Sequence, residues 1–85
     1  MSNIYKLPLV LEPQPEGGWT ITCPILPGLI TEADTLEKIN VNVHDALEAL
    51  IEGYHDIGLP LPEVLRPLST NVPVMTDALL ELKAA

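Results

Sequence analysis

Large apolar residues alternate with other residues at the start of the chain. From Tyr5 to Leu11, every second residue is apolar and shares one face, and this period of two predicts a strand over Ile4 to Leu11. Pro8 lies inside the run and has no N–H to donate. The strand is therefore predicted at a sheet edge or at a bulge.

The same alternation returns after a turn rich in proline and glycine. Trp19, Ile21 and Cys23 alternate with threonines, which predicts a second strand and an antiparallel hairpin. A corner follows in which Pro27 presets φ and Gly28 is free to take a positive φ. A third short strand is predicted from residue 29 to about residue 33.

The clearest helix pattern follows the third strand. Asp34 or Thr35 is predicted to cap it, with Glu37 at the third helical position if Asp34 is the cap. Gly58, followed by a Leu-Pro pair, is predicted to end it. The helix carries one apolar stripe at steps of three and four: Leu36, Ile39, Val43, Leu47, Leu50 and Tyr54.

The remainder of the chain has weaker patterns. Residues 59–73 hold four prolines and are predicted to be extended and ordered by contacts. In residues 76–85, propensity favours a helix while alternation also suits a strand. The predicted fold is α+β: a three-stranded antiparallel sheet with one long helix and a C-terminal strand or helix.

Length and composition limit the number of domains and the kinds of partner that the chain can have. Eighty-five residues predict a single domain, 1–85, with a core over 4–62 and a proline-rich segment and terminal element over 63–85. A net charge of −8 disfavours direct binding to nucleic acid or membrane and favours a basic partner. With one cysteine, no leader pattern and no membrane-spanning stretch, the chain is expected to be cytoplasmic.

Several motifs together resemble the HicB-like antitoxin family. The match covers roughly residues 4–62. It rests on an ordered series of short runs: Gly17-Gly18-Trp19, Pro24-Ile25-Leu26-Pro27-Gly28-Leu29-Ile30-Thr31, Asp34-Thr35-Leu36-Glu37, Asp45-Ala46-Leu47 and Gly58-Leu59-Pro60-Leu61-Pro62. The resemblance implies a partial RNase H-like fold, β-β-β-α-β, and therefore favours a fourth strand at the C-terminus. It also implies a partner, a small basic HicA-like toxin that cleaves RNA.

Longer members of that family carry a C-terminal DNA-binding domain. Only ten residues follow Met75, too few for such a module, so the chain is expected to be a short form that does not bind its operator directly. Enzymatic activity is also not expected. RNase H-like chemistry needs a carboxylate in the first strand, and residues 4–11 contain none. No cofactor is implied.

A metal or thiol site finds little support. His44 and His55 are eleven residues apart on one helix, or about 16 Å along its axis, so they cannot share a metal within one chain. Cys23 continues the alternation of its strand and is interpreted as a core residue.

The helix surface holds the candidate binding residues. Asp45, Glu48, Glu52 and Asp56 lie within an arc of about 80°, and we call them the acidic ridge. The ridge is either a solvated face of an acidic protein or a docking surface for a basic toxin. Trp19 is a further candidate anchor that could equally be core.

Self-association is a second expectation. The apolar fraction is high and a chain of this size buries limited surface, so a homodimer or homotetramer is expected. Two functions follow. In the first, an antitoxin masks the RNA-binding or catalytic surface of a HicA-like toxin; in the second, an orphan self-associating module of the same family has no toxin partner.

Overall fold

Two short antiparallel pairings build the sheet. The computed structural model describes residues 3–84. It contains strands β1 (Val10–Pro13), β2 (Trp19–Thr22) and β3 (Ile30–Ala33), in the spatial order β1-β2-β3. The turn between β1 and β2 is closed by the amide of Gln14, which donates to the carbonyl of Gly18 at 3.0 Å. The predicted hairpin and third strand are confirmed, and with the helix they confirm the α+β fold.

The first strand is shorter than the alternation predicts. Strand β1 begins at Val10, so the predicted strand from Ile4 is wrong for residues 4–9. The register explains this difference. Val10 pairs with Thr22, and continuing the ladder would set Pro8 opposite Pro24, neither of which has an N–H. The alternation itself persists, because every second side chain from Tyr5 to Leu11 is half-buried.

One face of the sheet packs against the helix. In the register, Leu11, Ile21 and Thr31 lie side by side on this face. Ile21 has no exposed surface at all. The buried core comprises eight residues: Ile21, Cys23, Leu26, Leu29, Ala33, Ile39, Val43 and Leu65. The core is therefore a single layer between sheet and helix, and the other face of the sheet leaves Val10 and Ile30 exposed.

Helix α1 spans Ile39–Asp56 and is preceded by a 3₁₀ turn over Leu36–Lys38. Thr35 is the N-cap of that 3₁₀ turn, and its carbonyl accepts from the amide of Lys38 at 3.1 Å. No side chain caps either element, so the predicted capping box at Asp34 or Thr35 is wrong. The tighter 3₁₀ turn satisfies the first amides through the backbone and displaces the start of the α-helix by one turn.

The helix end matches the prediction. Gly58 has φ of +72°, and its amide donates to the carbonyl of His55. The amide of Leu59 donates to the carbonyl of Tyr54, which completes a Schellman motif. Gly58 thus ends α1 by adopting the left-handed backbone that other residues rarely accept.

The segment after α1 is ordered by contacts, as its prolines predict. Leu65 is only 4% exposed and joins the core, and the amide of Leu68 donates to the carbonyl of Ile4 at 2.8 Å. Residues 76–84, in contrast, form neither strand nor helix. The fourth strand implied by the family resemblance is therefore not found within the described residues. No helix of residues 3–84 has the length and apolar character needed to cross a bilayer.

Candidate functional site

The acidic ridge lies on the solvent side of helix α1. Asp45, Glu48, Glu52 and Asp56 are all exposed, whereas the buried stripe of the same helix passes through Ile39 and Val43. At 100° per residue, the two stripes point in nearly opposite directions. The four carboxylates span about 16 Å along the axis, so the ridge is one continuous exposed strip of negative charge.

The ridge charges are poorly compensated. His44 Nδ1 lies 3.5 Å from Asp45 Oδ1, and both groups are largely exposed. Within residues 3–84, Glu48, Glu52 and Asp56 take part in no ion pair. Glu52 and Asp56 also lie in the last turns of α1, where the helix dipole disfavours anions. Each neighbouring pair of carboxylates costs about 0.2–0.5 kcal/mol, so a cationic ligand on this strip would relieve existing repulsion.

Val41 extends the ridge at its N-terminal end. It precedes Asp45 by four residues, falls within the same arc of the helix, and leaves 55% of its surface exposed. Val41 is not among the residues predicted from the sequence. Its four-residue offset from Asp45 is the signal that could have identified it. The strip therefore offers one apolar contact followed by four carboxylates.

Trp19 does not belong to the same surface. It lies on β2 opposite Ala33, half-buried, and packs against the core beneath the helix. The structure thus does not bring Trp19 together with the ridge, which is on the far side of α1. Its position gives it a packing role in the layer between sheet and helix.

The corner residues position the helix over the sheet. Two successive turns carry the chain from β2 to β3. In these turns, the amide of Leu26 donates to the carbonyl of Cys23 and the amide of Leu29 to that of Leu26. Pro27 and Gly28 occupy the second turn.

Gly28 serves this corner differently from the prediction. It does not adopt a positive φ, because the positive-φ glycines of the described chain are at positions 17, 18 and 58. A Cβ on Gly28 would lie 3.0 Å from Leu50 Cδ1, so Gly28 allows α1 to approach the corner closely.

A hydrogen bond fixes α1 to the edge of the sheet. Asn42 Nδ2 donates to the main-chain carbonyl of Glu32 at 2.7 Å. This carbonyl faces away from β2, so Asn42 occupies part of the outer edge of β3 and orients the helix that carries the ridge.

The candidate metal and thiol residues remain apart. Cys23 is 3% exposed within the core, whereas His44 and His55 are exposed along α1. Residues 3–84 contain no group of three or more His, Cys, Asp and Glu side chains placed to hold a metal ion.

Comparison with known proteins supplies the family. No model of a protein family matches the chain. The UPF0150 protein ssr1765 of Synechocystis sp. (strain ATCC 27184 / PCC 6803 / Kazusa) is 33% identical over 73 residues, which cover 82% of this chain and 92% of that protein. A match over 82% of the chain necessarily includes β2, the corner and helix α1. The chain belongs to the UPF0150 family.

Proposed function

We propose that the protein is an antitoxin of the HicB-like type, which neutralises a small basic HicA-like toxin by covering its RNA-binding or catalytic surface. The proposal describes a binding function and not catalysis. It combines the sequence motifs of the corner and helix with membership of the UPF0150 family. The single observation that carries it is the acidic ridge, which is exposed, continuous and largely without ionic partners within residues 3–84.

The chemistry of the ridge suits a partner that binds RNA. Such a protein uses lysine and arginine side chains to contact phosphates. A strip of carboxylates about 16 Å long presents those side chains with an alternative to the phosphate backbone. The ridge would then speed association with the toxin and occupy the residues that the toxin needs for its substrate.

Co-expression tests this proposal. A short, strongly basic open reading frame beside the gene is the candidate toxin, and its product alone should arrest growth. Co-expression of the wild-type chain should restore growth, and the two proteins should co-purify. Arrest that persists in the presence of the folded chain, together with failure to co-purify, would count against the antitoxin function.

A pair of charge variants makes the test specific to the ridge. Glu48→Lys with Glu52→Lys should weaken rescue and co-purification. The matched control is Glu12→Lys with Glu32→Lys, which changes the net charge by the same four units on the uncovered face of the sheet. The control should behave like the wild type, and equal losses in both variants would exclude a specific role for the ridge.

A second candidate function is that of an orphan, self-associating module of the same family without a toxin. The many apolar side chains exposed at the C-terminus favour self-association. This function predicts that no neighbouring basic protein co-purifies with the chain and that no neighbouring gene product arrests growth.

A further inference from the structure

A groove separates the two terminal segments of the described chain. The N-terminal segment, residues 4–9, forms one wall, and residues 74–80 form the other. The groove consists of two hollows of about 640 and 540 Å³. Its floor is apolar and includes Leu36, Ile39 and Val43. Protein interiors rarely leave spaces of this size between packed segments, so the C-terminal segment covers the groove without filling it.

The N-terminal segment has the form of a strand without a partner. Its side chains alternate between half-buried and exposed, as they would on a sheet edge. Its backbone makes one hydrogen bond outside the ladders within residues 3–84, from the amide of Leu68 to the carbonyl of Ile4. Residues 5–9 therefore offer free carbonyls and, except at Pro8, free amides, and these groups are a template for an added strand.

The C-terminal segment is the complementary piece. Within residues 73–84 the backbone makes no main-chain hydrogen bond to the described chain. Residues 72–80 expose five large apolar side chains: Val72, Val74, Met75, Leu79 and Leu80. So dense a set of exposed apolar residues marks a contact surface in a soluble protein.

We infer that a second copy of this chain fills the groove, each copy laying its C-terminal segment against residues 4–9 of the other in a two-fold dimer. The added segment supplies both the apolar side chains and the backbone partners that the groove lacks. Lys6 and Asp77 line both hollows, so residues of opposite charge face each other when the segments exchange. In a two-fold dimer each of these contacts occurs twice, which doubles the buried area.

Other occupants fit the groove less well. A small apolar ligand could fill the hollows but could not pair the row of amides and carbonyls of residues 5–9. A basic partner would find one residue of each charge in the groove, Lys6 and Asp77, and so no net attraction. The inference is independent of the proposed antitoxin function, because the groove reaches α1 on the side of Ile39 and Val43, opposite the acidic ridge.

Two matched leucine variants test the dimer in the full chain. Leu79 is 60% exposed and lines both hollows, whereas Leu82 is 84% exposed and lines neither. We expect light scattering on a dilution series to give a dimer mass for the wild type. Leu79→Asp should raise the dissociation constant at least tenfold, and Leu82→Asp should change it less than threefold. Because both side chains are exposed in the single chain, both variants should stay folded, with the helical circular dichroism signal of the wild type.

Disulfide trapping identifies which segments meet. In a Lys6→Cys, Asp77→Cys double variant, mild oxidation should give covalent dimers on a non-reducing gel. The native Cys23 is buried and should not contribute. An oxidised monomer, or no disulfide at all, would overturn the exchange of segments.

Three other results would also overturn the inference. These are a monomer mass across the whole dilution series, equal weakening by Leu79→Asp and Leu82→Asp, and a monomer that binds the apolar dye ANS in the groove. The last would assign the groove to a small ligand. None of them bears on the acidic ridge, so failure here is distinguishable from failure of the antitoxin function.

Discussion

The single apolar layer between sheet and helix predicts a large cost for truncating Ile21. This side chain has no exposed surface and lies between Leu11 and Thr31 in the register. Ladders on both sides hold the β2 backbone in place, so the layer cannot collapse into the space left by Ile21→Ala. We therefore expect Ile21→Ala to lower the free energy of unfolding by about 3–5 kcal/mol, which is the upper part of the range for buried Ile→Ala substitutions. A chain of this length has about 4–13 kcal/mol of stability in total.

Urea unfolding followed by circular dichroism measures this loss. With a slope near 1 kcal/mol/M, the midpoint of Ile21→Ala should fall by about 3 M or more at fixed protein concentration. Ile30→Ala is the matched control. It makes the same change on the uncovered face of the sheet, where Ile30 is 64% exposed, and should cost less than about 1 kcal/mol. Equal losses in the two variants, or a loss below about 1 kcal/mol for Ile21→Ala, would refute the single-layer core.

Two further perturbations follow from the helix. Gly58→Ala should lower the free energy of unfolding by about 1 kcal/mol, because φ is +72° at that position. Gly53→Ala, at an open position inside α1, should raise it by about 0.5–1 kcal/mol. Melting temperatures that shift in the same direction in both variants would contradict this. Asn42→Ala removes the hydrogen bond to the Glu32 carbonyl and should lower the free energy of unfolding by about 0.5–1.5 kcal/mol. Asn40→Ala, the matched control, should have little effect. Equal urea midpoints for the two asparagine variants would show that the bond does not stabilise the fold.

Much of the fold follows from local periodicity. The apolar stripe of the helix and the alternation at Trp19, Ile21 and Cys23 each bury one face of a single element, so a short window of sequence contains the whole signal. Gly58 is equally local, because a left-handed residue after the last helical turn is a backbone requirement. The exposed position of the acidic ridge follows from the same helical geometry.

The differences arise where partners far along the chain decide the structure. The extent of β1 depends on which residue lies opposite Pro8, and this becomes known only once the register places Pro24 there. The start of α1 depends on a 3₁₀ turn that removes the need for a side-chain cap at Thr35. The role of Gly28 depends on Leu50, which packs closely against it and lies twenty-two residues later in the chain.

The C-terminal segment shows the same dependence most clearly. Its alternating pattern suits a strand and its composition suits a helix, and the described chain gives residues 76–84 neither. A strand needs a neighbouring backbone, and the free backbone groups of residues 5–9 are the available neighbour. In the dimer inferred above, the C-terminal segment of each copy would pair with residues 5–9 of the other copy.

The charge distribution separates the two surfaces on which the account depends. The acidic ridge concentrates four carboxylates on the solvent side of α1, whereas the groove between the termini has an apolar floor and one residue of each charge, Lys6 and Asp77. A dimer formed through the groove would leave both ridges exposed. The two proposals are therefore compatible, and each can fail without the other.

The central claim, that the ridge engages a basic partner, is tested most directly by association kinetics with the co-expressed basic protein. For the wild type, the association rate should fall steeply as salt rises. Glu48→Lys with Glu52→Lys should slow association on the order of tenfold at low salt and flatten the salt dependence. Glu12→Lys with Glu32→Lys should keep most of the wild-type rate. If both variants slow association equally, or if neither does, the ridge is not the surface that meets the partner.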